Sequence, residues 1–283
     1  MMRLQKIVVG MDWSPASLDA WREACLLART FGSRLVLVHA VPETSSVRAE
    51  RDEVVLQAEA TLRQLAAEAG VEAGAVVEEG RADDVLLAVA AREGADLIVL
   101  GAGARTTLDR VLLGSSAERL VREAPVPVWL VCPGRAHPEV RNVLCALDGD
   151  LAAKESDEAL RAAVYLCRTF VADLSVMTVV PDPDALRPWA RGEAADLAAA
   201  VARGEEGLRR RLEGIDRHGV ETRIIVRAGK PAAGIVEAAG LVGCDLLVMG
   251  TRGLTGLAHL WSGSTAERVI RAVPSSVLVV KAR

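Results

Sequence analysis

Aromatic side chains are scarce in this chain: five Trp, two Phe and one Tyr make up 3% of it. The tryptophans (Trp13, Trp21, Trp129, Trp189 and Trp261) are dispersed. They form no track interleaved with basic residues, so the stacking platform that single-stranded nucleic acid needs is missing. An excess of one charge is lacking too. A net charge of −4 gives no overall pull toward nucleic acid or anionic lipid. No window approaches 18 uncharged apolar residues, so no membrane span is expected. The first residues run straight into Ile7-Val8-Val9 with no small-residue cleavage site, so no secretory signal is expected either. The five cysteines (Cys25, Cys132, Cys145, Cys167 and Cys244) are odd in number and hold no CxxC pair. That pattern reads as buried thiols in a reducing cytoplasm.

Histidine is rare as well. His39 ends a strand-like run and reads as a hydrogen-bonded core or pocket-edge residue. His137 and His218 stand in polar stretches, and His259 lies in a glycine-containing loop, where it reads as a surface residue or a phosphate contact. No HExxH, Cys/His cluster or nucleophile elbow occurs, so neither a protein metal site nor a catalytic residue is expected. Gly229-Lys230-Pro231 lacks both the preceding glycine loop and the hydroxyl residue of a Walker A motif. A GxGxxG fingerprint after the first strand is missing too. Ordinary P-loop chemistry and nicotinamide binding are both disfavoured.

What the chain does have is aliphatic bulk and a repeat. Hydrophobic residues, mostly Ala, Leu and Val, make up 51% of 283 residues, enough for two cores. Lys6-Ile7-Val8-Val9-Gly10-Met11-Asp12 corresponds to Asn142-Val143-Leu144-Cys145-Ala146-Leu147-Asp148. Asp96-Leu97-Ile98-Val99-Leu100-Gly101 corresponds to Asp245-Leu246-Leu247-Val248-Met249-Gly250, and Gly114-Ser115-Ser116-Ala117-Glu118-Arg119 to Gly263-Ser264-Thr265-Ala266-Glu267-Arg268. A fixed motif order repeated in two halves marks a duplicated unit. The second copy is longer, and most of the excess falls in 182–219, where a longer amphipathic helix accommodates it.

Each half alternates short aliphatic runs with helical patterns. Strands are predicted near 6–11, 34–40, 72–78, 96–100 and 127–132, then near 142–147, 173–179, 220–227, 245–249 and 276–281. Helices are predicted near 15–31, 48–69, 82–93 and 115–123, then near 153–170, 190–217, 231–242 and 264–272. This alternation implies an α/β fold: two tandem open, doubly wound parallel five-stranded sheets with helices on both faces. The first domain is expected over 1–135 and the second over 141–283, joined through a polar segment at 133–141.

In such sheets a ligand sits outside the carboxyl ends of the strands. Three features of the second half gather there: Asp148 at the end of the first strand, the glycines Gly250, Gly253 and Gly256 after the fourth, and the helix start at Ser264-Thr265. Glycines let backbone approach a phosphate chain, and a helix N-terminus offers unpaired N–H groups to an anion. Each feature has a plainer reading. Asp12 and Asp148 read equally as caps of the following helices, and Ser264 with Glu267 reads as a capping box. Arg105, Arg110 and Arg252 read as polyphosphate attractors or as solvated side chains.

Gly250-x-x-Gly253, nine intervening residues and then Gly263-Ser264 resembles the ATP-binding signature of universal stress proteins. The resemblance extends from Val143 to Val280 and covers both halves, so the chain resembles a tandem member of that family. It implies adenosine nucleotide at the strand ends, ATP with or without Mg²⁺. By matching residues, Asp148 would face the adenosine and Val179 would contact adenine through its backbone. Gly250, Arg252, Gly253, Gly263, Ser264 and Thr265 would surround ribose and phosphates. The first-half counterparts are Asp12, Ala40, Gly101, Gly114, Ser115 and Ser116. That half departs from the pattern at Ala104, where the second glycine should stand, and has Gly103 one residue earlier. If residue 104 needs a left-handed backbone, the first site is the weaker one for ATP.

The resemblance further implies a cytoplasmic regulatory protein of the stress response whose two halves pair as a pseudo-dimer, with a homodimer as a further assembly. Neither nucleic acid nor membrane is an expected partner. Two alternatives stay open: a slow Mg²⁺-dependent ATPase, and a structural or small-hydrophobe-binding module whose cavity the helix near 190–217 lines.

Overall fold

The computed structural model describes residues 4–42, 48–103, 113–132, 139–148, 154–180, 197–250 and 265–281. It divides into two compact units, Arg3–Pro138 and Glu139–Arg283.

Apolar runs too short for helices become the strands of the first half: β1 (Lys6–Gly10), β2 (Arg34–Val41), β3 (Ala73–Glu79), β4 (Leu97–Gly101) and β5 (Val128–Val131). Helices α1 (Pro15–Phe31), α2 (Arg48–Glu68), α3 (Ala82–Glu93) and α4 (Ser115–Glu123) connect them. The second half repeats the order with β6 (Asn142–Ala146), α5 (Lys154–Phe170), β7 (Asp173–Val180), α6 (Leu197–Glu213), β8 (Thr222–Ala228), α7 (Pro231–Leu241), β9 (Leu246–Gly250), α8 (Thr265–Ala272) and β10 (Ser276–Val280).

Within the first half the strands lie in the order β3-β2-β1-β4-β5, and within the second β10-β9-β6-β7-β8. The pairs inside each half are parallel. Parallel strands covered by helices on both faces are continuously apolar, and β1, β4 and β5 are buried almost throughout. The chain walks outward from β1 to β3 and then returns to β4 on the other side of β1. This reversal opens a crevice beyond the carboxyl ends of β1 and β4.

Helix α6 lies close on its sheet. A Cβ at Gly204 would meet Val180 and Val226 side chains at 3.1 Å and Thr178 at 3.4 Å. At Gly204 the helix packs directly on the sheet, and residues 190–196 lie outside the described set. Among the described residues no helix is long and apolar enough to cross a membrane.

Candidate functional site at the strand ends

Helix α1 begins at Pro15, with Ser14 as its N-cap; the Ser14 Oγ accepts from the Ser17 N–H at 3.2 Å. Asp12 is therefore not the cap, contrary to one of the two readings open for it. Its Oδ1 accepts from the Ser14 N–H at 3.0 Å and from the Ser14 hydroxyl at 2.5 Å. The Ser17 hydroxyl oxygen accepts from the Asp12 N–H. Partial burial alone would raise the Asp12 pKa, but the Ser14 and Ser17 hydrogen bonds outweigh it and hold the carboxyl below its ordinary range. The chain thus presents a fixed carboxylate at the end of β1.

That carboxylate borders a cavity of about 260 Å³. Asp12, Ala40, Gly101, Gly114, Ser115 and Ser116, gathered from four stretches of the first half, all line it. Val38 and Leu100 from the strands and Ala82, Leu86 and Leu120 from α3 and α4 also line it, with Ser14 and Ser17 beside Asp12. Sequence reasoning assigned none of these seven to the site. The apolar ones look like ordinary core residues in sequence, and only the topology brings them to the crevice.

The glycines divide into two kinds. At Gly101 a Cβ would lie 2.4 Å from the Ala16 carbonyl carbon, so the close approach of β4 and α1 already requires glycine there. Gly114 is different. It is the N-cap of α4 with an ordinary φ of −70°, it makes no side-chain cap bond, and among the described residues nothing lies within 4 Å of where its Cβ would stand. The first intrahelical bond runs from the Glu118 N–H to the Gly114 carbonyl. The N–H groups of Ser115, Ser116 and Ala117, which all line the cavity, stand before that bond. Gly103 has φ 72°, so the left-handed turn after β4 falls on a glycine. Ala104 lies outside the described residues.

A clamp of ion pairs stands beside the cavity. Arg119 on α4 donates from Nη1 to Asp83 Oδ2 and to Asp84 Oδ1, both at 2.6 Å, and from Nε to Glu123 at 2.8 Å. Arg81 reaches Asp83 at 3.2 Å. Asp83 is buried. Burial would raise its pKa, but the hydrogen bonds from Arg119 and then Arg81 bring it below the ordinary value. The clamp ties the first turn of α3 to α4, one turn past the Ser115–Ser116 rim.

In the second half Asp148 is half-buried beyond β6, Gly250 ends β9 and buried Thr265 opens α8. Arg252, Gly253, Gly263 and Ser264 lie outside the described residues. Val179 is buried, and its Cγ2 would stand 3.0 Å from a Cβ at Gly234 on α7. The register makes Val179 the counterpart of Ala40, and Gly234 the counterpart of Val85. The two halves therefore place the larger side chain on opposite partners of one strand–helix contact. The side chain of Val179 is engaged with α7.

His39 Nδ1 lies 2.7 Å from the Met11 carbonyl oxygen, so Nδ1 carries the proton. Its ring centroid is 4.9 Å from that of Trp13, a residue with φ 65°. The imidazole acts as a strut under the β1–α1 turn. His218 is exposed beside Asp216, while His137 and His259 lie outside the described residues. All five cysteines are buried. Burial pushes the thiol of Cys25 up to about 11 and that of Cys167 to about 12. Among the described residues no group of three His, Cys, Asp or Glu side chains is placed to hold a metal ion.

Comparisons with known proteins agree with this architecture. A universal stress protein of Methanocaldococcus jannaschii is 34% identical over 125 residues, covering 44% of this chain and 74% of that protein. One from Thermus aquaticus is 34% identical over 146 residues, covering 50% of this chain and 98% of its own. The crystal structure of a universal stress protein from Archaeoglobus fulgidus covers 98% of both chains with a TM-score of 0.75 at 22% identity, a likeness of fold. The sequence profile of the Universal stress protein family matches residues 3–131 and again 139–281. With both halves matched over nearly their whole length, the chain is a tandem-domain member of the universal stress protein family.

Proposed function

We propose that the chain binds adenosine nucleotide, ATP foremost, at the carboxyl ends of its strands, and that the nucleotide acts as a conformational ligand rather than a turned-over substrate. Gly114 carries this reading. Glycine is an accepted N-cap but offers no capping side chain, and among the described residues neither φ nor packing at Gly114 calls for it over Ser, Thr, Asn or Asp. A missing side chain that faces a cavity beside free helix N–H groups fits close approach by an anion. The Ser115 and Ser116 positions add hydroxyl donors to the same rim. The Asp12 carboxylate, an acceptor only, suits ribose hydroxyls or an exocyclic amine. At about 260 Å³ the cavity falls just below the usual range of small-molecule sites, roughly 300 Å³ and upward.

Nucleotide bound to one conformation shifts the population toward it, which is how such a protein would report on nucleotide levels under stress. In the alternative, a slow ATPase, Mg²⁺ held by phosphates and water would polarise the terminal phosphate. A carboxylate held at low pKa, as Asp12 is, makes a weak general base, which favours binding over turnover.

Gly114→Asp tests the site. Aspartate is a better N-cap than glycine, so melting temperature should hold or rise, while its side chain and charge should enter the anion position. First-half labelling of the intact protein by azido-AMP, read by peptide mapping, should fall at least about tenfold, equivalent to about 1.4 kcal/mol. Unchanged labelling in the folded variant would remove the site. Mass spectrometry of small molecules released on denaturation, together with phosphate release in an ATPase assay, separates binding from turnover.

A further inference from the structure

Each half ends on a strand with a single neighbour. Among the described residues β3 pairs with β2 alone and β8 with β7 alone. Each therefore carries a row of backbone N–H and C=O groups along its outer edge. The two edges are counterparts, since Leu35 stands across from Ala73 as Leu174 does from Thr222. Position for position, Ala73-Gly74-Ala75 matches Thr222-Arg223-Ile224, and Glu78 matches Arg227. Strand β3 is thus small at its start and acidic at its end, with Glu78 and Glu79. Strand β8 is aliphatic and basic, with Arg223 and Arg227 around Ile224, Ile225 and Val226.

The small residues leave a groove. About 630 Å³ opens beside Ala73, Gly74 and Ala75, walled by Ala66 and Ala67 of α2 and by Gly70. A Cβ at Gly74 would meet Arg34 Nη2 at 3.6 Å, an ordinary contact, so among the described residues packing does not call for glycine there. On β8 the side chains are large instead. Val226 stands toward α6, 3.1 Å from a Cβ at Gly204, and Ile224 shares that face by alternation. Arg223 is exposed, and Ile224, Ile225 and Val226 are half-buried.

We propose that the β8 edge of one copy of this chain adds, antiparallel, to the β3 edge of a second copy. Antiparallel pairing is the stabler arrangement per residue, and it sets the exposed base of β8 against the acidic end of β3. Glu78 opposite Arg223 puts Gly74 opposite Arg227 and Ala75 opposite Val226. Charge meets opposite charge, and the larger side chains stand where β3 has small ones. Opposed residues of an antiparallel pair project to the same face, so Val226 enters the groove that Ala75 lines. Like edges do not fit. Two β3 edges would bring acids together without a base, and two β8 edges bases without an acid. The contact is therefore heterologous, and every copy offers both edges.

Sedimentation equilibrium of the intact chain, without added ligand, tests this. At low salt the average mass should rise with concentration, and added salt should lower it, since exposed charges are screened. Arg223→Glu and Glu78→Arg should each weaken association at least about tenfold, equivalent to about 1.4 kcal/mol. An equimolar mixture of the two should restore it, because each variant then offers the other an edge of opposite charge. Arg223 is exposed, so Arg223→Glu should keep the wild-type melting temperature. It decides the matter by itself even where Glu78→Arg, which loses the pair with Arg92, folds poorly. A mass independent of concentration would overturn the proposal. So would association of Arg223→Glu equal to wild type, which would assign it to another surface. A mixture of the two folded variants no better than its components would overturn the pairing of Glu78 with Arg223.

Discussion

Ala40 with Val85 in the first half and Val179 with Gly234 in the second solve one packing problem in opposite ways. Val179 meets Gly234 where β7 packs on α7, and Ala40 and Val85 hold the matching positions on β2 and α3. In the first half the strand residue is small and the helix residue large, so the strand end stays open and Ala40 lines the cavity. In the second half valine on the strand fills the space, and α7 has room for it only because residue 234 is glycine. Total volume is nearly kept while its location moves. Duplicated domains can thus diverge at a site without loss of core density, because close packing constrains the sum of volumes more than either residue.

A second contrast lies deeper. In the first half the Trp129 indole, wholly buried on β5, donates to buried Glu23 Oε1 on α1 at 2.6 Å. The second half has Leu278 and Ala162 at these positions, both buried and apolar. The largest effect should appear on disturbing the polar version. Trp129→Leu removes aromatic bulk and takes from Glu23 the indole donor, at an expected cost of about 3 kcal/mol. Denaturant unfolding read through exchange protection of β5 measures this. Adding Glu23→Ala, which copies the second half, should recover part of the loss. A double variant worse than Trp129→Leu by the full cost of a second deletion would show that the two halves are not interchangeable here.

The exchanged pair comes next. Gly234→Val should overpack α7 against Val179 and cost about 2 kcal/mol. Combining it with Val179→Ala, which reproduces the first-half arrangement, should restore most of that. Additivity of the two substitutions, measured by the same unfolding assay, would break the volume-exchange argument.

The smallest expected effect depends on pH. Asp83 has a native pKa below its ordinary value of 3.8. Its ionised form is therefore favoured by folding, and the stability it contributes is fully present above the unfolded value. That contribution is lost as pH falls through the lowered native value. The stability difference between wild type and Asp83→Asn should accordingly be constant near neutrality and shrink in acid. The α7–α8 region, with alanine at 232 and 233, should show no such limb. Thermal melts across pH 3 to 7, with exchange protection resolving the two regions, check both halves. A difference that persists unchanged to the lowest pH would show that the Arg119 clamp does not depend on the ionised carboxylate.

Much of the site was legible before any fold was known. Asp12, Ala40, Gly101, Gly114, Ser115 and Ser116 are spaced by the repeat, and all six line one cavity. Their roles were less legible than their positions. Gly101 reads in sequence like a phosphate glycine, yet the Ala16 backbone accounts for it. Asp12 reads as a cap, yet Ser14 is the cap and Asp12 supports it. Gly103 takes a left-handed φ of 72°, while Ala104 lies outside the described residues.

By itself the sequence determined the duplication, the alternation of strand and helix and the parallel sheets. These follow from periodicity, chain length and turn residues, which are local properties that survive without coordinates. Only the tertiary structure decided that Arg119 is spent on Asp83 and Asp84, that Glu23 meets Trp129 across 106 residues, and that Val179 leans on Gly234. Those contacts join residues distant in the chain. Which side chains meet depends on how helices seat on a sheet, a matter of volume and close packing that no local pattern encodes.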